Sequence, residues 1–79
     1  MFHPDTIQAR VQQRPFVPFR IVTSSGQAYD IRHPELVMVG RRDLTIGTPS
    51  VDNPAQYEGI NRVAIMHVTD LQDLPVPSA

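Results

Sequence analysis

Arg14-Pro15-Phe16-Val17-Pro18-Phe19-Arg20-Ile21-Val22-Thr23-Ser24-Ser25-Gly26-Gln27-Ala28-Tyr29-Asp30-Ile31-Arg32-His33-Pro34-Glu35 is the stretch that decides the fold. It holds, in order, a helix stop, a strand, a tight turn and a second strand. Pro15 ends any helix before it, because the residue preceding a proline is pushed out of the α region. Phe16-Val17-Pro18 is an extended lead-in, and two prolines this close withhold ladder donors, which places it at a sheet edge. From Phe19 the side chains alternate: Phe19, Ile21 and Thr23 point one way, Arg20 and Val22 the other. Ser24-Ser25-Gly26 makes the turn, with Gly26 free to take positive φ. Ala28 to Arg32 returns as the second strand, with Tyr29 and Ile31 on the core face and Asp30 and Arg32 opposite. Pro34 cannot donate to a central ladder, so His33-Pro34-Glu35 marks a sharp corner.

Upstream, the pattern predicts a short helix over about 6–13, capped by Asp5 with Gln8 in capping-box spacing. Ile7 and Val11 form a narrow apolar stripe one turn apart, and Arg10 and Arg14 turn outward. Two turns are too few for independent stability, so this helix must dock on the sheet. Downstream, Leu36 to Val39 is an apolar run that fits a buried strand. Gly40-Arg41-Arg42-Asp43 is a polar turn, and Leu44-Thr45-Ile46 is the next strand. The segment 47–59 has two prolines and no period, and reads as a long loop. Ile60 to Met66 resumes as a strand with Val63 and Ile65 on one face. Val68, Leu71 and Leu74 follow at three-residue spacing, read as a 3₁₀ turn leading into a last short strand. The tail 75–79 reads as frayed.

One short N-terminal α-helix followed by about five strands predicts a mainly β chain folded as a single domain over residues 1–79. The expected architecture is a small Sm-like or SH3-like antiparallel β-barrel, with an open antiparallel sheet carrying the helix on one face as the alternative. The apolar strand, short turn and Val68-x-x-Leu71 resemble the closing element of Sm-like barrels. The signatures with which Sm-type proteins hold RNA are not identifiable, so this likeness concerns architecture alone.

A second resemblance covers about three quarters of the chain. The string Arg14-Pro15-Phe16-Val17-Pro18-Phe19-Arg20-Ile21, the Ser25-Gly26 turn and Tyr29-Asp30-Ile31-Arg32-His33-Pro34-Glu35 are similar to a set of short bacterial proteins. Those read roughly PFRPFRI, a D-G turn and YxVRHPE, and end on an apolar strand, a His and Ile-x-x-Ile-Glu, which Ile65 to Gln72 echoes. Val17 and Ser25 depart from that pattern, at positions where a basic residue and Asp are common. The resemblance implies a compact bacterial domain and transfers no chemistry.

Composition narrows the function classes. The chain has 79 residues and no cysteine, which excludes disulfides, Cys-ligated zinc and thiol catalysis. A domain near this size buries only about 60% of its unfolded surface, and without staples such domains often gain stability by association. Net charge is -1, so no global positive field exists to hold phosphate backbones. No apolar run is long enough to span a bilayer, and Met1-Phe2-His3-Pro4-Asp5 lacks the form of a secretory signal, so a cytoplasmic address is expected.

Candidate sites follow from residue type. His33, Glu35 and His67 are the metal-ligand candidates, since zinc sites mix imidazole and carboxylate. The plainer reading is that His33 and Glu35 fix the bend and His67 caps a strand end. Arg20, Arg32, Arg41 and Arg42 are the candidates for anion or RNA-phosphate contact, as on small barrels that bind single strands. The plainer reading is a surface charge network of Arg20 and Arg32 around Asp30. Tyr57 pins its loop or contacts a ligand. Catalytic and cofactor-binding residues are none: there is no phosphate loop, no G-x-S-x-G elbow, and Ser24 and Ser25 belong to a turn with no base expected nearby. The reading is a non-catalytic interaction module, self-associating or protein-binding, with contact surfaces expected at Phe16 to Pro18, Leu36 to Val39 and Val63 to Met66. An RNA- or anion-binding subunit is the alternative.

Overall fold

The computed structural model describes residues 2–53 and 56–75. Its elements are α1 (Pro4–Gln12), β1 (Phe19–Thr23), β2 (Ala28–Ile31), a 3₁₀ turn (Pro34–Leu36), β3 (Val37–Val39), β4 (Asp43–Pro49), β5 (Tyr57–Ala64), a second 3₁₀ turn (Ile65–His67) and β6 (Val68–Asp73). The strands form two three-stranded antiparallel sheets, ordered β2-β1-β6 and β3-β4-β5.

The expected five-stranded Sm-like or SH3-like barrel is therefore corrected. There are six strands in two sheets, and among the described residues no ladder closes them into a barrel. The single open sheet is not formed either. The physical cause lies at the two corners where the chain passes between sheets. Both are one-turn 3₁₀ helices, Pro34–Leu36 and Ile65–His67. Inside them the Leu36 N–H is spent on the His33 carbonyl and the Val68 N–H on the Ile65 carbonyl. Among the described residues the second corner keeps only single bonds to its neighbours, Ile65 N–H to the Arg42 carbonyl and Ser24 N–H to the His67 carbonyl, in place of a ladder. Pro34 withholds its donor as well.

The first hairpin has the face assignment that alternation predicts. Phe19, Ile21 and Thr23 are buried on β1, and Ile31 is buried on β2. The turn closes with the Gly26 N–H donating to the Thr23 carbonyl at 2.9 Å, and Gly26 takes φ +88°. The last strand follows a different rule. Ile21 pairs with Leu71 and Thr23 with Val68, so one extra residue on β6 is absorbed by a bulge between Val22 and Thr23. Opposed residues share a face, so the bulge converts the expected spacing of two into the observed Val68–Leu71 spacing of three. The 3₁₀ turn precedes Val68, and Val68–Asp73 is strand throughout.

Helix α1 starts earlier than expected. His3 is its N-cap and makes no side-chain cap bond, with Pro4 at the first helical position. Proline is preorganised for that position and has no N–H to leave unpaired, so Asp5 falls inside the first turn and does not cap. Ile7 is fully buried and Val11 packs on the core. Arg10 does not point outward: its guanidinium lies 4.9 Å from the Phe19 ring centroid and bonds Asp73 of β6. The helix also packs on β3, so α1 ties one sheet to the other.

The core between the sheets holds Ile7, Phe19, Ile21, Ile31, Leu36, Val37, Leu44, Ile46, Val63, Ile65 and Val68. The expected loop 47–59 shrinks to 50–56, because β4 runs on to Pro49 and β5 begins at Tyr57. Within it residues 54 and 55 lie outside the described residues, as do residues 76–79 of the tail read as frayed. No described helix is long and apolar enough to cross a membrane.

Candidate interaction site

The four arginines considered for anion contact do not share one element. Arg20 and Arg32 belong to the first hairpin, whereas Arg41 and Arg42 sit in the turn between β3 and β4. Register places Arg20 directly across from Asp30. Arg20 Nε donates to Asp30 Oδ1 at 2.7 Å and Nη2 to Oδ2 at 3.4 Å, and Arg32 Nη2 lies 3.7 Å from Oδ2. The hydrogen bond from Arg20 holds the Asp30 carboxyl below the usual carboxylate range, against a smaller opposing effect of burial. The same bond raises Arg20. Two of the four cations are thus already matched by a fixed carboxylate.

The three metal-ligand candidates are not brought together. Among the described residues no group of three His, Asp or Glu side chains could hold a metal ion. His33 is the N-cap of the first 3₁₀ turn, and its carbonyl accepts from the Leu36 N–H at 3.1 Å. Glu35 contributes its carbonyl to the Tyr57 hydroxyl, which donates at 3.3 Å. His67 lies at the other corner, where the Ser24 N–H donates to its carbonyl at 2.8 Å.

That corner contains one pairing the sequence reading did not expect. His67 Nδ1 is 3.4 Å from Ser24 Oγ. Among the described residues no carboxylate bonds the ring to orient it, and both side chains are exposed. A nucleophile needs a base that is itself held in place, so the pair is a structural link between the first turn and the second corner.

Among the described residues no element packs on the outward face of β3-β4-β5. Met38, Thr45 and Arg62 lie in one cross-strand row, with Gly47 and Ile60 in the next. Met38 is 67% exposed, Ile60 69% and Tyr57 50%. Together with Glu35, Leu36, Thr45 and Gly47 they line a hollow of about 120 Å³. Tyr57, expected in a loop, is instead the first residue of β5, and it crosses this face to reach Glu35. Of the expected contact segments, Leu36 to Val39 contributes exposed Met38 and, at the floor of the hollow, largely buried Leu36, while Val37 is in the core. In the late segment Val63 and Ile65 are buried and Met66 is exposed. Phe16 is half-buried, its ring centroid 6.0 Å from that of Phe19. Sequence reasoning missed Ile60, which it used only to begin a strand. The available signal was an isoleucine between Glu58-Gly59 and Asn61-Arg62, an apolar residue in a polar stretch.

Compared with protein-family models, curated proteins and solved structures, the chain matches none.

Proposed function

We propose that this chain is a non-catalytic interaction module that associates with itself or with another protein through the outward face of β3-β4-β5. The observation that carries this is the exposure of Met38, Ile60 and Tyr57 around one hollow on a sheet face that the other described residues do not cover. Scattered exposed apolar residues are ordinary, but three large ones meeting on one face are what contact surfaces present. The face adjoins a strand edge as well, and open edges are templates for another chain.

The test is sedimentation velocity from micromolar to millimolar concentration, on the wild type and on Met38→Lys/Ile60→Lys. The expected result is a mass that rises with concentration in the wild type and stays at one chain in the double variant. Both must keep the same circular dichroism spectrum. A wild type that remains one chain throughout removes self-association. The anion-binding alternative has no comparable observation behind it, since Arg20 and Arg32 share Asp30.

A further inference from the structure

We infer that the partner this face is built for is an acidic segment of another protein, which seats an apolar side chain in the hollow at Met38 and Ile60 and lays its carboxylates on Arg41, Arg42 and Arg62. The inference rests on the proposed contact face and adds the chemistry of the partner.

The apolar hollow has a cationic neighbour. Met38 and Thr45 line both it and a cleft of about 360 Å³ that opens toward the turn between β3 and β4. The charged lining of that cleft is Arg41, Arg42 and Arg62 against Asp43 alone. Asp43 pairs with Arg62 at 3.9 Å. Arg41 and Arg42 are exposed, and among the described residues they make no ion pair or side-chain hydrogen bond. Asp5 of α1 lines a separate hollow that Arg41 also borders, without bonding it. A chain of net charge -1 thus gathers a surplus of cations at one end of this face. The turn that carries them is fixed by its own backbone. The Gly40 N–H donates to the Asp43 carbonyl at 2.8 Å, and the Ile65 N–H donates to the Arg42 carbonyl at 2.7 Å. Less chain remains to be ordered when a partner arrives, which lowers the cost of binding.

Candidate occupants differ in what they leave unmatched. A second copy covers the apolar hollow but brings the same surplus of cations with it. Single-stranded nucleic acid neutralises the arginines but offers the hollow no apolar side chain, and it holds to proteins by stacking bases on aromatic rings. The aromatic ring lining the hollow is that of Tyr57, which is already packed against Gly47. An acidic protein segment matches both halves. Carboxylates accept paired hydrogen bonds from guanidinium groups, and an apolar side chain beside them fills the hollow. The distance between the halves suits one short segment. Ile60 and Arg62 share a face two residues apart on β5, which is about 7 Å. A carboxylate two positions from the apolar residue in an extended segment, or one helical turn from it, reaches across that distance.

The test is fluorescence anisotropy at low salt with a fluorescein-labelled peptide in which leucine is followed by serine and a run of glutamates. Wild type is expected to bind it saturably. Arg41→Glu/Arg42→Glu, which changes only exposed side chains, is expected to weaken the complex about tenfold or more. Serine in place of the peptide leucine, or Met38→Ser/Ile60→Ser in the protein, is expected to weaken it by about the same factor. Each variant must keep the circular dichroism spectrum of the wild type. A peptide with glutamine for glutamate that binds as well, a complex indifferent to the arginine reversal, or no saturable binding overturns the acidic partner. So does single-stranded RNA that binds the wild type as tightly and is lost in the same arginine variant, which assigns the cleft to phosphate. In each of these cases the contact face stands if the mass of the wild type rises with concentration and that of Met38→Lys/Ile60→Lys does not. With that difference absent as well, the face falls too.

Discussion

The Tyr57 ring lies so close to the backbone of Gly47 that a Cβ on residue 47 would stand 2.7 Å from two ring carbons. Glycine in a central strand weakens it, since it packs nothing and costs more chain entropy on ordering. Here the ring of a neighbouring strand fills the space where a side chain would be, and its hydroxyl reaches the Glu35 carbonyl. Gly47→Ala is expected to destabilise the domain by about 1 kcal/mol, the low end of overpacking because a half-exposed ring can swing aside. With Tyr57→Ala already present, the same change should be neutral or stabilising by up to about 1 kcal/mol, since only the entropy of glycine is then removed. Urea unfolding of the four proteins gives the coupling. Additive effects would sink the account.

Asp30 supplies the pH prediction. Its folded-state pKa lies below the ordinary value of 3.8, mainly through the hydrogen bond from Arg20. A lowered carboxyl contributes stability that is fully present above its unfolded pKa and is lost as pH falls through the folded value. Wild type should therefore exceed Asp30→Asn in melting temperature at neutral pH, and the gap should narrow only below the ordinary carboxylate range. A gap that is unchanged at the lowest pH where both proteins fold would contradict this pairing.

For RNA the expected outcome is negative. Net charge is -1, and Arg20 and Arg32 converge on one carboxylate. Phosphate binding draws on released counterions and weakens steeply with salt. Fluorescence anisotropy with single-stranded RNA at low salt should show no saturable binding. A complex that weakens with salt and is lost in Arg41→Ala/Arg42→Ala would restore the anion-binding alternative.

The legible parts of this fold are those where period and face coincide. Phe19-x-Ile21-x-Thr23 and Tyr29-x-Ile31 alternate without interruption, and the core face follows directly. The ending was readable only as a spacing, because the bulge opposite Val22 and Thr23 shifts the phase of β6. The corner at Pro34 was visible through its missing donor. Ile65-Met66-His67 looks like continuing strand, and it is that hidden 3₁₀ turn which ends β5 at Ala64 and carries the chain to the other sheet. The candidate face was hidden for a related reason. Leu36 to Val39 is apolar at every position and so carries no phase, and Met38 could not be told from its buried neighbours. Ile60 followed a segment whose glycines and prolines suggested loop, although Tyr57 supports Gly47 across the ladder and the sheet continues to Pro49.

Arg10 shows where a helical wheel misleads, and it yields the last prediction. Its Cα sits on the flank of α1, but the side chain is long enough to lay its guanidinium over Phe19 and bond Asp73. Arginine suits both contacts at once, since its planar group stacks on a ring while its edge donates to a carboxylate. Phe19 is fully buried, so Phe19→Ala is expected to cost about 3–5 kcal/mol, enough to unfold much of so small a domain. Arg10→Ala should cost about 1 kcal/mol, in line with a cation–π contact near the surface. Arg10→Lys should recover little of it, because an ammonium cannot do both. The loss should also be local. Hydrogen exchange is expected to speed up across α1, notably at Ile7 whose N–H donates to the His3 carbonyl at 3.3 Å, while amides of β1 and β4 keep their protection. Unchanged exchange in α1 of Arg10→Ala would show that Ile7 alone seats the helix and that the arginine contact holds nothing in place.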